Sequence, residues 1–162
     1  MSAFLKVSHR RYQGGGTLVE VLIAVLVLST GMLGVAAMQS VSLRNSQSAL
    51  QRSQAVAQMY SVADAMRANA DVARAGGYNL PLGGGCPTPS AAGTLATRDL
   101  SDWISSLQST MGSNACGGIA CAASVCVGGV CAPTLCTMTV RWDDSLGTGG
   151  GSLQQLQFGS RI

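Results

Sequence analysis

Histidine is almost missing from this chain of 162 residues: the one copy, His9, stands in the first ten. A triad centred on imidazole is therefore excluded from everything that follows it. Charge is also scarce, at 10% of residues, and aromatic side chains make up 4%. The chain is nevertheless 47% apolar, which separates it from disordered chains, whose apolar content is low and charge high. What charge there is has been placed unevenly. Residues 1–15 hold Lys6, Arg10 and Arg11 with no acid, whereas residues 16–162 hold seven arginines and seven acids and sum to zero. A nucleic-acid partner that needs a basic face has no support. The length fits one domain.

The longest gap in charge runs from Val21 to Leu43, 23 residues between Glu20 and Arg44, with the core VLIAVLVLSTGMLGVAAM. As a helix at about 1.5 Å per residue this spans roughly 35 Å, enough for a hydrocarbon core of about 30 Å. It has no polar face, unlike the helix of a soluble core. The cations on its N-terminal side predict a single span with the N-terminus in the cytoplasm and everything after about Leu43 across the membrane. A secretory signal cut near Val35-Ala36-Ala37 is the competing reading. Against it, the run exceeds the usual 7–15 apolar residues, and Glu20 stands at its start. Gly14, Gly15 and Gly16 between the basic head and the apolar run make a segment that a protease can hold extended.

Basic leader, glycine and then GTLVEVLIAVLVLSTGMLGVAAMQ resemble the class III signal of type IV pilins and pseudopilins. The resemblance implies cleavage by prepilin peptidase between Gly15 and Gly16, N-methylation of Gly16 as the first mature residue, and Glu20 as the acid at the fifth mature position. Glycine replaces the phenylalanine or methionine usual at the first mature position, so Glu20 alone sets the register within Gly14–Gly16. The resemblance further implies that Glu20 pairs with the N-terminal amine of a neighbouring subunit during assembly. An acid at the edge of lipid calls for such a partner. The simpler alternative is that Glu20 complements the helix dipole, for about 0.3–1 kcal/mol.

Neither proline nor glycine occurs from Val41 to Ala75. Apolar residues there recur at three- and four-residue intervals (Met59, Val62, Met66, Ala70), and Asp64, Arg67, Asp71 and Arg74 form a ladder suited to a wet face. The pattern predicts one helix of nearly 60 residues stopping at Gly76-Gly77. Residues 76–96 read as a Gly/Pro/Ser-rich connection, with no Lys-Ser/Thr to make its glycines a phosphate cradle. Leu100, Trp103, Ile104, Leu107 and Met111 predict a short amphipathic helix with Asp99 as N-cap and Gly112 as stop. Leu135–Trp142 alternates as a half-buried strand, Asp143-Asp144 turns the chain, and Leu153–Phe158 reads as a return strand. The fold class is α+β. MLGVAAMQ, LSDWISSLQ and MTVRWDD also resemble the PilV branch of the minor pilins, which implies a type IV pilin-like fold. The expected domains are a leader at 1–15, a membrane and assembly half-helix at 16–43, an amphipathic half-helix at 44–75 and an α+β region at 76–162.

The six cysteines, Cys86, Cys116, Cys121, Cys126, Cys131 and Cys136, all follow the apolar run, the last five at strict Cys-x4-Cys spacing. Across the membrane disulfides form and persist, and three bridges allow 15 pairings that sequence does not choose between. Zinc is the alternative, but the spacing is wide and no histidine remains; Cys-x-x-Cys, the redox motif, does not occur. The insert 115–136 reads as a loop of Gly, Ala and Cys, too poor in large apolar side chains to bury a core unless stapled.

No catalytic, metal or cofactor constellation is read. The expected function is a minor pilin that joins a priming complex at the filament tip, with prepilin peptidase, other minor pilins, the major pilin and inner-membrane lipid as partners. The expected location is the inner membrane before assembly and the pilus at the cell surface afterwards. A minor pseudopilin of a type II secretion system and a tip adhesin are the alternatives.

Overall fold

The computed structural model describes residues 16–147 and 149–162. Helix α1 (Leu18–Ala68) is followed by α2 (Ala70–Arg74), α3 (Leu95–Met111) and five strands: β1 (Cys116–Cys121), β2 (Cys126–Val127), β3 (Val130–Cys131), β4 (Leu135–Trp142) and β5 (Gln154–Arg161). The chain falls into two compact units, up to Ser40 and from Val41 onward. The first is helical over its described residues from Leu18.

The second unit is built on a three-stranded antiparallel sheet in the order β1-β4-β5. Strict alternation puts Cys136, Met138, Val140 and Trp142 of β4 on the buried face. Ala55, Met59, Val62, Ala63 and Met66 of α1 and Leu100, Trp103, Ile104, Leu107 and Met111 of α3 complete one core. Burying a side chain of the Met or Leu class contributes about 1.5–3 kcal/mol, so this patterned face is the main support of the unit. Polar ties fix the two helices against each other: Trp103 Nε1 donates to the Gln58 carbonyl at 3.0 Å and Gln58 Nε2 to Ser106 Oγ at 2.7 Å. The rings of Tyr60 and Phe158 lie 4.8 Å apart and tilted by 49°, a favoured aromatic geometry.

Four sequence expectations are corrected. The long helix does not run unbroken to Ala75: it stops at Ala68, and Asn69, at φ −124° and ψ 50°, separates α1 from α2. Asn69 leaves helical geometry, and its amide donates to the Tyr78 hydroxyl at 3.4 Å; short polar side chains favour such departures because they offer local bonds. The stop at Gly76-Gly77 is observed, with Gly76 at φ 85° and bonds from Gly76 N to the Ala73 carbonyl and Gly77 N to the Val72 carbonyl, which is a Schellman cap. Helix α3 begins a turn before Asp99: Thr94 is its N-cap, its hydroxyl accepting from Thr97 N. Gly112 ends it as expected.

The Cys-rich insert is not simply a loop. It holds β1, which pairs with β4 from Cys116↔Arg141 to Cys121↔Cys136, and the β2–β3 hairpin. Gly117 explains why a strand forms on so little side chain: a β-carbon there would overlap the Trp103 ring and the Leu107 Cδ1. The strand is defined by helix α3 lying against its bare backbone, which only glycine permits. The return strand is also longer and shifted, Gln154–Arg161 rather than Leu153–Phe158, because the full register with β4 runs from Trp142↔Gln154 to Leu135↔Arg161.

Candidate functional site

The Gly16–Glu20 segment opens α1. Thr17 accepts the first bonds of the helix, from Glu20 N at 2.9 Å and Val21 N at 3.3 Å. Glu20 lies in the first turn and is exposed. Its side chain folds back toward the chain start: one carboxylate oxygen, Oε2, lies 3.7 Å from where a Gly16 β-carbon would stand. A carboxylate here faces the unsatisfied N–H groups of a helix N-terminus, where negative charge is favoured. Glu20 and Gly16 are therefore neighbours; Gly15, with the rest of the expected leader, lies outside the described residues.

From Val21 to Met38 the first unit offers a mainly apolar surface. Leu22, Ile23, Leu26, Leu28 and Leu33 are each more than half exposed. The two hydroxyls between Val21 and Met38 turn inward: Ser29 Oγ donates to the Val25 carbonyl and Thr30 Oγ1 to the Val27 carbonyl at 2.9 Å. These two polar side chains are thus satisfied within the helix, as lipid or another apolar partner requires. The helix is long and apolar enough to cross a membrane. So large a bare apolar surface marks a membrane or protein contact.

The six cysteines form three bridges, Cys86–Cys116, Cys121–Cys136 and Cys126–Cys131. The last two join directly opposed residues of β1/β4 and β2/β3. Among the described residues no group of three or more His, Cys, Asp or Glu side chains gathers as a metal would need.

Two acids play parts that sequence reasoning did not find. Asp99 accepts a short hydrogen bond from the hydroxyl of Tyr78, which is fully buried. Asp144, in the turn after β4, is buried and accepts from Ser48 Oγ of α1 at 2.7 Å. Neither leaves a local sequence signal, because each partner is distant along the chain. Asp143, exposed beside it, has its carboxyl held below the usual range by the Ser145 backbone N–H.

Burial, and then the bond to Asp99, raise the Tyr78 hydroxyl above its ordinary 10.0. The folded state therefore binds this proton more tightly than the unfolded one. The associated stability is complete below pH 10 and is lost as pH rises beyond it. Denaturation midpoints measured on either side of that pH should fall more steeply for the native chain than for Tyr78→Phe; equal slopes would contradict the assignment.

Residues 10–36 match the family model described as the prokaryotic N-terminal methylation motif. No curated protein and no solved structure matches the chain. The matched segment takes in the end of the basic head, the glycines, Glu20 and most of the apolar helix. A prepilin-type N-terminal motif thus leads into an apolar helix and a small disulfide-bridged antiparallel sheet, a type IV pilin-like chain of α+β fold.

Proposed function

We propose that this chain is a minor pilin of a type IV pilus, resembling the PilV branch, that helps to prime assembly and resides at the filament tip. The observation that carries the reading is the methylation motif at 10–36 on a helix whose apolar side chains are bare. Prepilin peptidase cuts between Gly15 and Gly16 and the amine of Gly16 is methylated. The apolar half-helix then rests in the inner membrane until assembly. In assembly it exchanges lipid for the helices of other minor pilins and the major pilin, an equally apolar setting, so that packing and polar pairing rather than hydrophobic gain decide the register. Glu20 supplies the pairing charge, and its proximity to Gly16 supports a role at the processed end.

Intact mass and N-terminal sequencing of the membrane-extracted protein test this directly. A methylated start at Gly16 with the apolar run retained is expected; a start at Met38 would replace the reading with that of an ordinary secreted protein. The same N-terminal logic would serve a minor pseudopilin. Deletion of the chain should therefore abolish twitching motility and leave secretion intact.

A further inference from the structure

We infer that the outer face of the sheet carries a carboxylate-binding recess centred on Arg141. Arg141 sits on the central strand β4, opposite Cys116 of β1 and Gln155 of β5. Its neighbours along the strand, Val140 and Trp142, point into the core, so the guanidinium belongs to the other face. It is the only charged residue between Asp102 and Asp143.

Among the described residues, which include all seven acids of the chain, no carboxylate lies within ion-pair distance of it; the salt bridges present are Arg67–Asp64 and Arg74–Asp71. The acids nearest in sequence are engaged elsewhere, Asp143 with Ser145 N and Asp144 with Ser48 Oγ. The guanidinium is held in place instead by a neutral group: Nη2 donates to the Gly83 carbonyl at 3.0 Å. Its Nε is buried with no acceptor. A fixed, part-buried cation without a counter-charge is unfavourable unless something supplies one.

The space beside it suits that task. A recess of about 250 Å³ is lined by Arg141, Ser113, Asn114 and the Gly84-Gly85 backbone, with the exposed side chain of Leu153 contributing to its wall. The polar side chains there are a cation, a hydroxyl and an amide, with no acid among them. One positive charge with neutral donors matches a monoanion. The planar guanidinium matches a carboxylate in particular, since the two can form parallel hydrogen bonds. The carboxylate comes either from a small free acid or from an acidic side chain on a neighbouring subunit.

Mature full-length protein in detergent micelles, uniformly labelled with ¹⁵N, is titrated with sodium acetate against sodium chloride of equal ionic strength. The Arg141 Nε–Hε resonance is expected to shift to a plateau with acetate and not with chloride. Exposed Arg98, which also donates to a backbone carbonyl, should show no plateau, and the Asn114 amide should lose its acetate response in Arg141→Lys. A drift with no plateau, alike for Arg141 and Arg98, would overturn the site; this comparison needs only the native protein and does not depend on assembly. Repeating it on filaments, an arm that rests on the pilin reading, identifies the source. A resonance already shifted and insensitive to acetate means a neighbour's carboxylate fills the recess, and an unchanged response means a free acid does.

Discussion

Glu20→Ala should leave membrane insertion intact and lower the amount of this chain in filaments at least tenfold. The half-helix 16–43 remains apolar, so replacing its one acid cannot weaken partition into lipid. On the proposed function, what is lost is a charge pair in apolar surroundings. An acid deep in a span costs about 2.5–3.5 kcal/mol and less toward its end, and a pairing worth 1.4 kcal/mol is a factor of about ten. Immunoblots of sheared filaments and of the membrane fraction measure both quantities. The dipole role alone, about 0.3–1 kcal/mol, would reduce incorporation by no more than about fivefold. Filaments with native amounts of the variant would remove Glu20 from assembly. The neighbouring position of Gly16 and Glu20 gives a further expectation: retention of the charge should matter more than its exact reach, so Glu20→Asp should recover part of the loss and Glu20→Gln little.

Removing the Cys121–Cys136 bridge should damage the folded unit far more than removing the Cys126–Cys131 bridge. Its residues are 15 apart in sequence, for which loop closure gives about 3 kcal/mol. Cys136 is also fully buried, the first residue of the core face of β4. The Cys121→Ala, Cys136→Ala double variant should lose about 3 kcal/mol or more and melt about 10 °C lower. The Cys126–Cys131 bridge spans a separation of 5 and closes an outlying hairpin, so its removal should have a smaller effect, near 2 kcal/mol at most. Thermal unfolding of the full-length protein in detergent compares the two. Equal melting temperatures for both double variants would show that neither loop length nor burial decides which bridge matters.

Legibility in the sequence followed how local each cause was. Strand β4 could be read because its core residues alternate without exception, and α3 because Leu100, Trp103, Ile104, Leu107 and Met111 keep helical spacing; each needs only one buried face. The start of α3 was misplaced because Asp99, a good capping residue, lies just ahead of that spacing, while the true cap Thr94 precedes Leu95, an exposed position. Strand β1 had no local signature, since CGGIAC neither alternates nor favours extended structure. It exists because β4 and α3 flank it, a tertiary cause that propensity does not carry. Disulfide pairing was open to sequence for the same reason. Once β1 registers with β4 and β2 with β3, Cys121 faces Cys136 and Cys126 faces Cys131, which leaves Cys86 for Cys116. At the start of α1, Glu20 was legible from its isolation at the head of an uncharged run. The Arg141 recess was not, because its walls come from residues 84–85, 113–114 and 153, brought together only by the sheet.

The Cys86–Cys116 bridge has a consequence for how the folded unit withstands a cut in its chain. It encloses the exposed stretch 87–94, with its prolines, serine and small residues, and the whole of α3. Such stretches are where proteases cut first. A cut there would sever the chain but release neither piece. The N-terminal fragment keeps α1 and Cys86, the C-terminal fragment keeps α3, the sheet and Cys116, and the bridge together with the shared core holds them as one body. A subunit standing at an exposed position could be nicked by a foreign protease and still remain anchored through its helix.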